Sequence, residues 1–540
     1  MRFTDLFKQS DYRIITALLI FLPLLIYWQV YDFEFVWDDN GDPIGHLKNP
    51  FVTSPSWTNF WQLFTQSYFG MYIPISYLFW GVLKSFAELL SLPLNSVLHL
   101  TNVVVHIVNG LLVFTVLRQF VINKWAVLVG VLFFLLHPIQ VEVVAWVSEF
   151  RTLLAFCFSL SALYLYLKNQ TKFGFLPLVL FILALLSKPS AITLVAFVLV
   201  INHFHYKFRL GENFSKTLPF ALIALFVIVV THSIQSKYGE NFSQYLIEIW
   251  QRPFAWLDSI VFYLYKLIYP YHLGTSYTLS PKFISSQWWF YPLALLPLGL
   301  GYLLWIKRKQ QPLLVFAGVL FVVGFFVTSG WVSFAFQRYS LVADRYLYFA
   351  MIGVALFVAT LIANTDKKHW QGLILSVLVF FTTLSVFRQI PIWQNGMTLW
   401  SHSVDYEITP SYAILNLAVN HQNYGESLVK QEKYQQAMKY FNKAIIFYSR
   451  IIKQHPDNHV KAYSNRAVIF YNLKQYQKAI KDTGKIIEYN IKDVQAHNIK
   501  IQALIALKQC KQAKAALKQA QKYKIKVQIA IVNQLKSQCP

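Results

Sequence analysis

The chain has 540 residues, of which 56% are apolar and 13% charged, and its mean hydropathy is +0.42; a soluble domain of this length does not tolerate that composition. Its formal charge of +24 at pH 7 does not make it a nucleic-acid binder, because much of it sits beside apolar runs and in the C-terminal tail, and no base-reading motif accompanies it. Apolar runs fill the chain to about Arg388 and a Lys-, Gln-, Ala- and Tyr-rich tail follows, so two bodies are expected: a polytopic membrane domain over 1–390 and a second domain over 391–540.

A helix needs roughly 20 apolar residues to cross the hydrocarbon core. Runs of this kind predict about eleven spans of an all-α body, near 14–31, 96–117, 125–141, 152–167, 173–187, 190–205, 217–234, 290–306, 312–329, 346–363 and 370–387. Basic residues collect on the cytoplasmic side of short loops. With eleven spans, Arg2/Lys8/Arg13, Arg118/Lys124, Lys168/Lys172, Lys207/Arg209/Lys216, Lys307/Arg308/Lys309 and Lys367/Lys368 all fall on one face. Counting the aromatic stretch 253–270 as a further span would put the Lys307 cluster on the wrong face, so this stretch reads as an outer-face or re-entrant helix. The odd count places the first long loop and the tail together on the non-cytoplasmic side. After the first span comes Trp28-Gln29-Val30-Tyr31 rather than a small-residue cleavage site, which predicts a retained anchor.

The loop 32–94 is long for a connection and of a size that usually carries function. It opens with Phe35-Val36-Trp37-Asp38-Asp39-Asn40, two adjacent carboxylates just beyond a membrane-length run. Taken alone, the pair reads equally as a solvated turn or as the start of chemistry. Trp57, Phe60, Trp61, Phe64, Tyr68, Phe69, Tyr72, Tyr77, Phe79 and Trp80 follow. They suit either an interface belt or short amphipathic helices at headgroup level, and both keep Asp38 and Asp39 near lipid.

The third span meets His137-Pro138 after about 12 apolar residues, roughly 18 Å of helix, and the chain then stays apolar around Gln140 and Glu142. His137 and Glu142 are therefore expected below the outer surface. Ser187-Lys188-Pro189 repeats the device in the fifth span, and Arg345, in Ala343-Asp344-Arg345-Tyr346-Leu347-Tyr348, opens the tenth at the same level. Glu149 and Arg151 open the fourth. Ionisable groups at such depth face a polar cavity and have partners, and proline-broken spans are a way to build a site there; snorkelling or internally satisfied side chains are the alternative.

Cations under the outer leaflet suit a lipid phosphate, so Lys188, Arg345 and Arg151 are candidate phosphate-binding residues. Carboxylates beside them suit a general base for an acceptor hydroxyl, with Asp38 and Asp39 as the catalytic candidates. His137, Glu142, Glu149 and Asp344 are supporting. No nucleotide cradle, HExxH, CxxC or GxSxG stands in a context that supports another chemistry, and the need for a divalent metal stays open.

From about Tyr412 the pattern becomes a repeat. Ala437, Ala479 and Ala513 align, the last two separated by the period of a tetratricopeptide helix pair. The clearest copy runs Ala462-Tyr463-Ser464-Asn465-Arg466-Ala467 to Tyr476-Gln477-Lys478-Ala479-Ile480; the copy before it has a second helix extended to Gln454, and the one after carries Cys510 where an aromatic is usual. Three copies are about the minimum for a stacked core. From Ser401 on, 22 Lys and Arg face 8 Asp and Glu, which reads as a solvated face or as docking for an acidic partner or anionic headgroups. Of the three cysteines, Cys157 lies within a span, and Cys510 and Cys539, which could pair on an oxidising face, are expected to stay free thiols.

Five motifs in order carry a resemblance: Phe35-Val36-Trp37-Asp38-Asp39 with Lys48-Asn49-Pro50; His99-Leu100-Thr101-Asn102 to His106; His137-Pro138 to Glu149; Leu186-Ser187-Lys188-Pro189; and Ala343-Asp344-Arg345-Tyr346-Leu347-Tyr348. In these the chain resembles the transmembrane and tetratricopeptide-repeat O-mannosyltransferases and their bacterial relatives, which join a GT-C-type glycosyltransferase body to tetratricopeptide repeats. The resemblance implies a polyprenyl-phosphate-linked sugar as donor and the acidic pair Asp38/Asp39 as catalytic centre, with Lys188 and Arg345 at the donor phosphate. It also implies an exported acceptor protein held through the repeats and a bacterial inner-membrane location, with the site and the repeats in the periplasm. Two departures bear on donor identity and activity: Ser148-Glu149-Phe150-Arg151-Thr152 stands where relatives tend to have Ser-Glu-Arg-Lys-Asp, and Ile73 stands where an Arg is usual. A non-catalytic membrane scaffold and a surface-polysaccharide ligase or polymerase are the competing readings.

Overall fold

The computed structural model describes residues 10–41, 45–169, 174–235, 247–332, 334–365, 368–404, 411–454 and 460–539; Arg2, Lys8, Lys172 and Lys367 of the expected basic flanks lie outside them. The described residues are helical, with no strand beyond an isolated bridge between Tyr68 and Met71. Two compact units divide the chain, Met1–Leu399 and Trp400–Pro540.

Each of the eleven apolar runs coincides with helix. Among the described residues, six helices are long and apolar enough to cross a membrane: Ser10–Asp32, Leu94–Leu117, Val147–Asn169, Leu210–Gln235, Phe290–Lys307 and Lys368–Trp393. A further candidate is the pair Lys124–Leu136 and Pro138–Ala145, bent by 49° at His137, and four shorter apolar helices occupy Phe175–Ser187, Pro189–Phe204, Pro312–Thr328 and Met351–Ala363. Proline sets two of the breaks. Pro138 and Pro189 cannot donate to the helical ladder and push the residue before them to extended backbone, and both His137 (ψ 134°) and Lys188 (ψ 128°) are extended. The stretch read as an outer-face or re-entrant helix forms Arg252–Ile268, which is not among the long apolar helices and buries Ala255, Asp258, Tyr263 and Lys266.

The first long loop is folded rather than slack. Trp57–Thr65 is capped by Ser56, whose hydroxyl accepts from the Asn59 N–H, and turns Trp57 and Trp61 outward while burying Leu63. Pro74–Leu89 follows. Leu47, Phe51, Ile73, Tyr77 and Trp80 pack with Val147, Phe150 and Leu154 in one apolar cluster. The loop is thereby seated on the helix start that carries Glu149 and Arg151.

The second unit is a stack of helix pairs: Ser411–Lys430 with Tyr434–Gln454, Val460–Asn472 with Tyr476–Tyr489, and Val494–Ala506 with Cys510–Lys522, closed by Ile529–Gln538. The aligned alanines are buried where the helices meet. Arg466 forks onto Asp482 with two bonds of 2.7 Å, tying one pair together. Here the structure corrects one expectation: Cys510 and Cys539 form a disulfide, their Cα atoms 5.3 Å apart. The closing helix folds back so that Ile531, Leu535 and Cys539 enter the core of Ile501 and Leu504, a return that spacing in the sequence does not reveal. Cys157 is free.

Candidate active site

The acidic pair sits in a tight turn whose backbone is closed by Asp39 N–H to the Val36 carbonyl (3.1 Å), His46 N–H to the Asp38 carbonyl (2.8 Å) and Leu47 N–H to the Asp39 carbonyl (2.9 Å). Trp37, at φ +55°, takes a left-handed conformation that costs a non-glycine residue about 1–3 kcal/mol. Its indole stacks on Trp146 with centroids 4.6 Å apart and planes 4° from parallel, which holds the turn in that shape. Because the two aspartates are adjacent, the turn sends them different ways.

Asp39 is fully buried. Its Oδ2 accepts from the Val36 N–H at 3.0 Å, and its Oδ1 accepts from both the Ser148 N–H (2.8 Å) and the Ser148 hydroxyl (2.5 Å). Asp38 retains 16% of its side-chain exposure, and its Oδ2 lies 3.5 Å from His46 Nε2. Its Oδ1 makes no hydrogen bond among the described residues.

From His46 the contacts run unbroken into the recessed cations. Arg151 Nη1 donates to His46 Nε2 at 2.9 Å, and its Nη2 donates to Glu149 Oε1 at 3.1 Å. Lys188 Nζ donates to Glu149 Oε2 at 2.8 Å and to the Thr152 hydroxyl at 2.5 Å, and that hydroxyl bonds the same carboxylate. Arg345 Nε is 4.0 Å from Glu149, while its Nη1 and backbone N–H clamp Glu142 at 2.6 and 2.9 Å. The Arg345 guanidinium also lies over Phe336, 4.2 Å from the ring centroid. Three cations here face two glutamates, an excess of one positive charge before Asp38 is counted. Thr152, Lys188 and Arg345 line a pocket together with Ser190, Thr193 and Thr328.

Asp38, Arg151, Glu149, Lys188, Arg345 and Glu142 are thus brought together. His137 is not: its Nδ1 accepts from the Ile139 N–H and its Nε2 donates to the Leu267 carbonyl at 3.1 Å, satisfying backbone at the bend. Asp344 is not joined to those groups by an ion pair among the described residues and accepts instead from the Tyr277 hydroxyl at 2.6 Å. Sequence reasoning missed His46, the link between the two halves of the site, whose only signal was its nearness to Asp38 along the chain. It also missed the roles of Ser148, which falls inside a quoted motif, and of Thr152, which enters there only as a departure from relatives.

Burial, followed by the like charge of Asp38, pushes the Asp39 carboxyl up to about 7 despite its donors. Burial also works against a charged Asp38, but His46, when its ring is protonated, and Arg151 beside it outweigh that and hold its carboxyl below the ordinary value; with the ring neutral it is Arg151 that favours the carboxylate. Burial keeps the His46 imidazole below its usual range, against the pull of Asp38. Among the described residues no group of three or more His, Cys, Asp or Glu is placed to hold a metal ion.

Residues 437–520 match a family described as anaphase-promoting complex, cyclosome, subunit 3. Over 420 residues the chain is 23% identical to a protein named as a protein O-mannosyl-transferase from Caenorhabditis elegans, an alignment covering 71% of this chain and 56% of that one. The chain therefore spans little more than half the length of the relative it matches. No solved structure matches it.

Proposed function

We propose that the chain is a GT-C-type glycosyltransferase of the bacterial inner membrane that moves a sugar from a polyprenyl-phosphate donor to a hydroxyl of an exported protein. The observation that carries this reading is the run of close approaches from Asp38, the more exposed of the two acids and 3.5 Å from His46, through Arg151 and Glu149 to Lys188 and, at 4.0 Å, Arg345. An acid able to take a proton and cations able to receive a phosphate belong to one buried network, and the transfer needs those two functions side by side.

In this mechanism the Asp38 carboxylate accepts the proton of the acceptor hydroxyl as its oxygen bonds to the anomeric carbon from the face opposite the leaving group. The bond from that carbon to the phosphate oxygen breaks, the sugar inverts, and the lipid phosphate leaves carrying the electron pair. Lys188 and Arg345, with the one-charge excess around them, stabilise it. Asp39 has both oxygens taken by Val36 and Ser148, so its role is to hold the turn. The similarity to a protein named as an O-mannosyl-transferase supports transfer of a sugar, and the helical repeats support recruitment of the acceptor protein. The disulfide supports an oxidising, periplasmic location for the repeats.

Membranes containing the chain, supplied with radiolabelled polyprenyl-phosphate mannose and exported proteins, are expected to label protein, and Asp38→Asn to abolish the label. Lys188→Met is expected to raise the KM for the donor. No labelling by the wild type with any lipid-linked sugar leaves the membrane scaffold as the reading, and labelled polysaccharide without labelled protein turns it toward the ligase or polymerase.

A further inference from the structure

His46 is fully buried between the acidic turn and the start of the Phe150–Asn169 helix. Its ring is boxed by Phe69, Tyr77 and Trp80. The charged and titratable groups that face it are Asp38 from its own loop, Tyr77 from Pro74–Leu89, Arg151 from Phe150–Asn169 and Glu149 just before that helix.

The hydrogen-bond roles follow from the partners. A guanidinium only donates, so His46 Nε2, 2.9 Å from Arg151 Nη1, must be an acceptor. The ring proton is then on Nδ1, which donates to the Tyr77 hydroxyl at 2.9 Å; that hydroxyl faces the Tyr68 carbonyl. This assignment makes the 3.5 Å approach of Asp38 Oδ2 to Nε2 a meeting of two acceptors with no proton between them. With the ring in this neutral form, Asp38 is near the imidazole and is not bound by it.

We propose that His46 is a positioning residue for the transfer: its neutral imidazole stands between Asp38 and Arg151, occupying the guanidinium so that Asp38 is left to accept the proton of the acceptor hydroxyl. Removing the ring lets Arg151 close on Asp38 as a buried ion pair. Adding a proton to the ring has a similar result, because Nε2–H then donates to Asp38 and repels Arg151. In either case the base is engaged before the substrate arrives. The inference rests on the glycosyl-transfer reading above and adds to it a residue that couples the acid to the cation network, together with an acid limit on the reaction set by a histidine.

The test uses purified full-length protein, a short-chain polyprenyl-phosphate mannose as donor and an exported-protein mixture as acceptor. His46→Ala is expected to lower kcat by roughly 100-fold, as a misplaced reacting group does, with the donor KM little changed. His46→Gln, whose amide oxygen can accept from Arg151 and whose NH2 can donate to Tyr77, is expected to restore at least a tenth of the wild-type kcat and to move the acid limb of the pH profile to lower pH. Nitrogen-15 spectra of histidine-labelled wild type, with His46 assigned by its absence from His46→Gln, are expected to show a neutral ring protonated at Nδ1 at pH 7. A ring protonated at Nε2, or an imidazolium, overturns the inference, as does a His46→Gln enzyme with the wild-type acid limb. A wild type that transfers no sugar counts against the glycosyl-transfer reading, and the histidine spectrum still decides the position of the proton.

Discussion

Arg345 and Glu142, 203 residues apart in the chain, meet through two hydrogen bonds, Nη1 to Oε1 at 2.6 Å and the backbone N–H to Oε2 at 2.9 Å, with almost no solvent at either side chain. Removing one member of a buried pair strands the other charge, a loss of about 3–5 kcal/mol. Glu142→Ala is therefore expected to lower the unfolding midpoint of the detergent-solubilised protein strongly, and Glu142→Gln, which keeps an acceptor for the backbone N–H, by less. Equal and small effects of the two would mean that Arg345 does not depend on Glu142 for its place.

The two neighbouring aspartates should respond differently to the same change. Asp38→Asn is expected to abolish transfer while lowering the unfolding temperature by less than Asp39→Asn, since it removes only the attraction to Arg151 and leaves no buried donor unmatched. Asp39→Asn puts an amide among three donors from Val36 and Ser148, and leaving such a buried donor unmatched costs about 1–3 kcal/mol. It should lower both stability and activity, and thermal unfolding measured beside sugar transfer separates the two. A destabilised Asp38→Asn with a stable Asp39→Asn would reverse the assignment.

The Cys510–Cys539 bridge closes a segment of the last repeat, with the two residues 29 apart in sequence. A cross-link of that span stabilises by about 3.6 kcal/mol on chain-entropy grounds. Cys539→Ser is expected to make the closing helix Ile529–Gln538 susceptible to protease while the helix pairs before it stay resistant. Alkylation without reductant should modify neither cysteine in the native wild type, and labelling of both would contradict the bridge.

Stability should carry a signature of the buried histidine. The folded-state value for His46 lies below its ordinary one, so its contribution is present above about pH 6.5 and is lost as pH falls below that, because the unfolded chain takes the proton first. Asp39 works in the opposite sense: raised to about 7, it contributes most below about pH 4 and loses that contribution as pH rises through 7. Because Asp39 is common to both proteins, the difference in unfolding temperature between wild type and His46→Gln isolates the histidine. That difference is expected to shift against the wild type between pH 7 and pH 5, and a difference that does not vary with pH would place the His46 proton elsewhere.

Much of the architecture is legible without coordinates because its causes are local. A run of apolar residues and a proline within it need no distant partner to act, so helices form at the apolar runs and break at Pro138 and Pro189, although among the described residues only six of the eleven expected spans, or seven with the bent pair, are long and apolar enough to cross a membrane. The repeat is likewise readable, since each copy uses small residues at the same positions. The disulfide was misread for the opposite reason: whether Cys539 reaches Cys510 depends on a helix folding back onto a core.

The site divides along the same line. Composition and order along the chain determined that carboxylates follow the first apolar run and that cations interrupt later ones, because charge in an apolar run is visible residue by residue. Only the tertiary structure decided that Asp39 is sealed by Ser148 while its neighbour keeps an opening, that His137 serves the backbone, and that His46 joins the acid to Arg151. Those outcomes depend on hydrogen-bond partners about a hundred or more positions away, and an acid, an imidazole or a guanidinium takes its character from the groups that surround it.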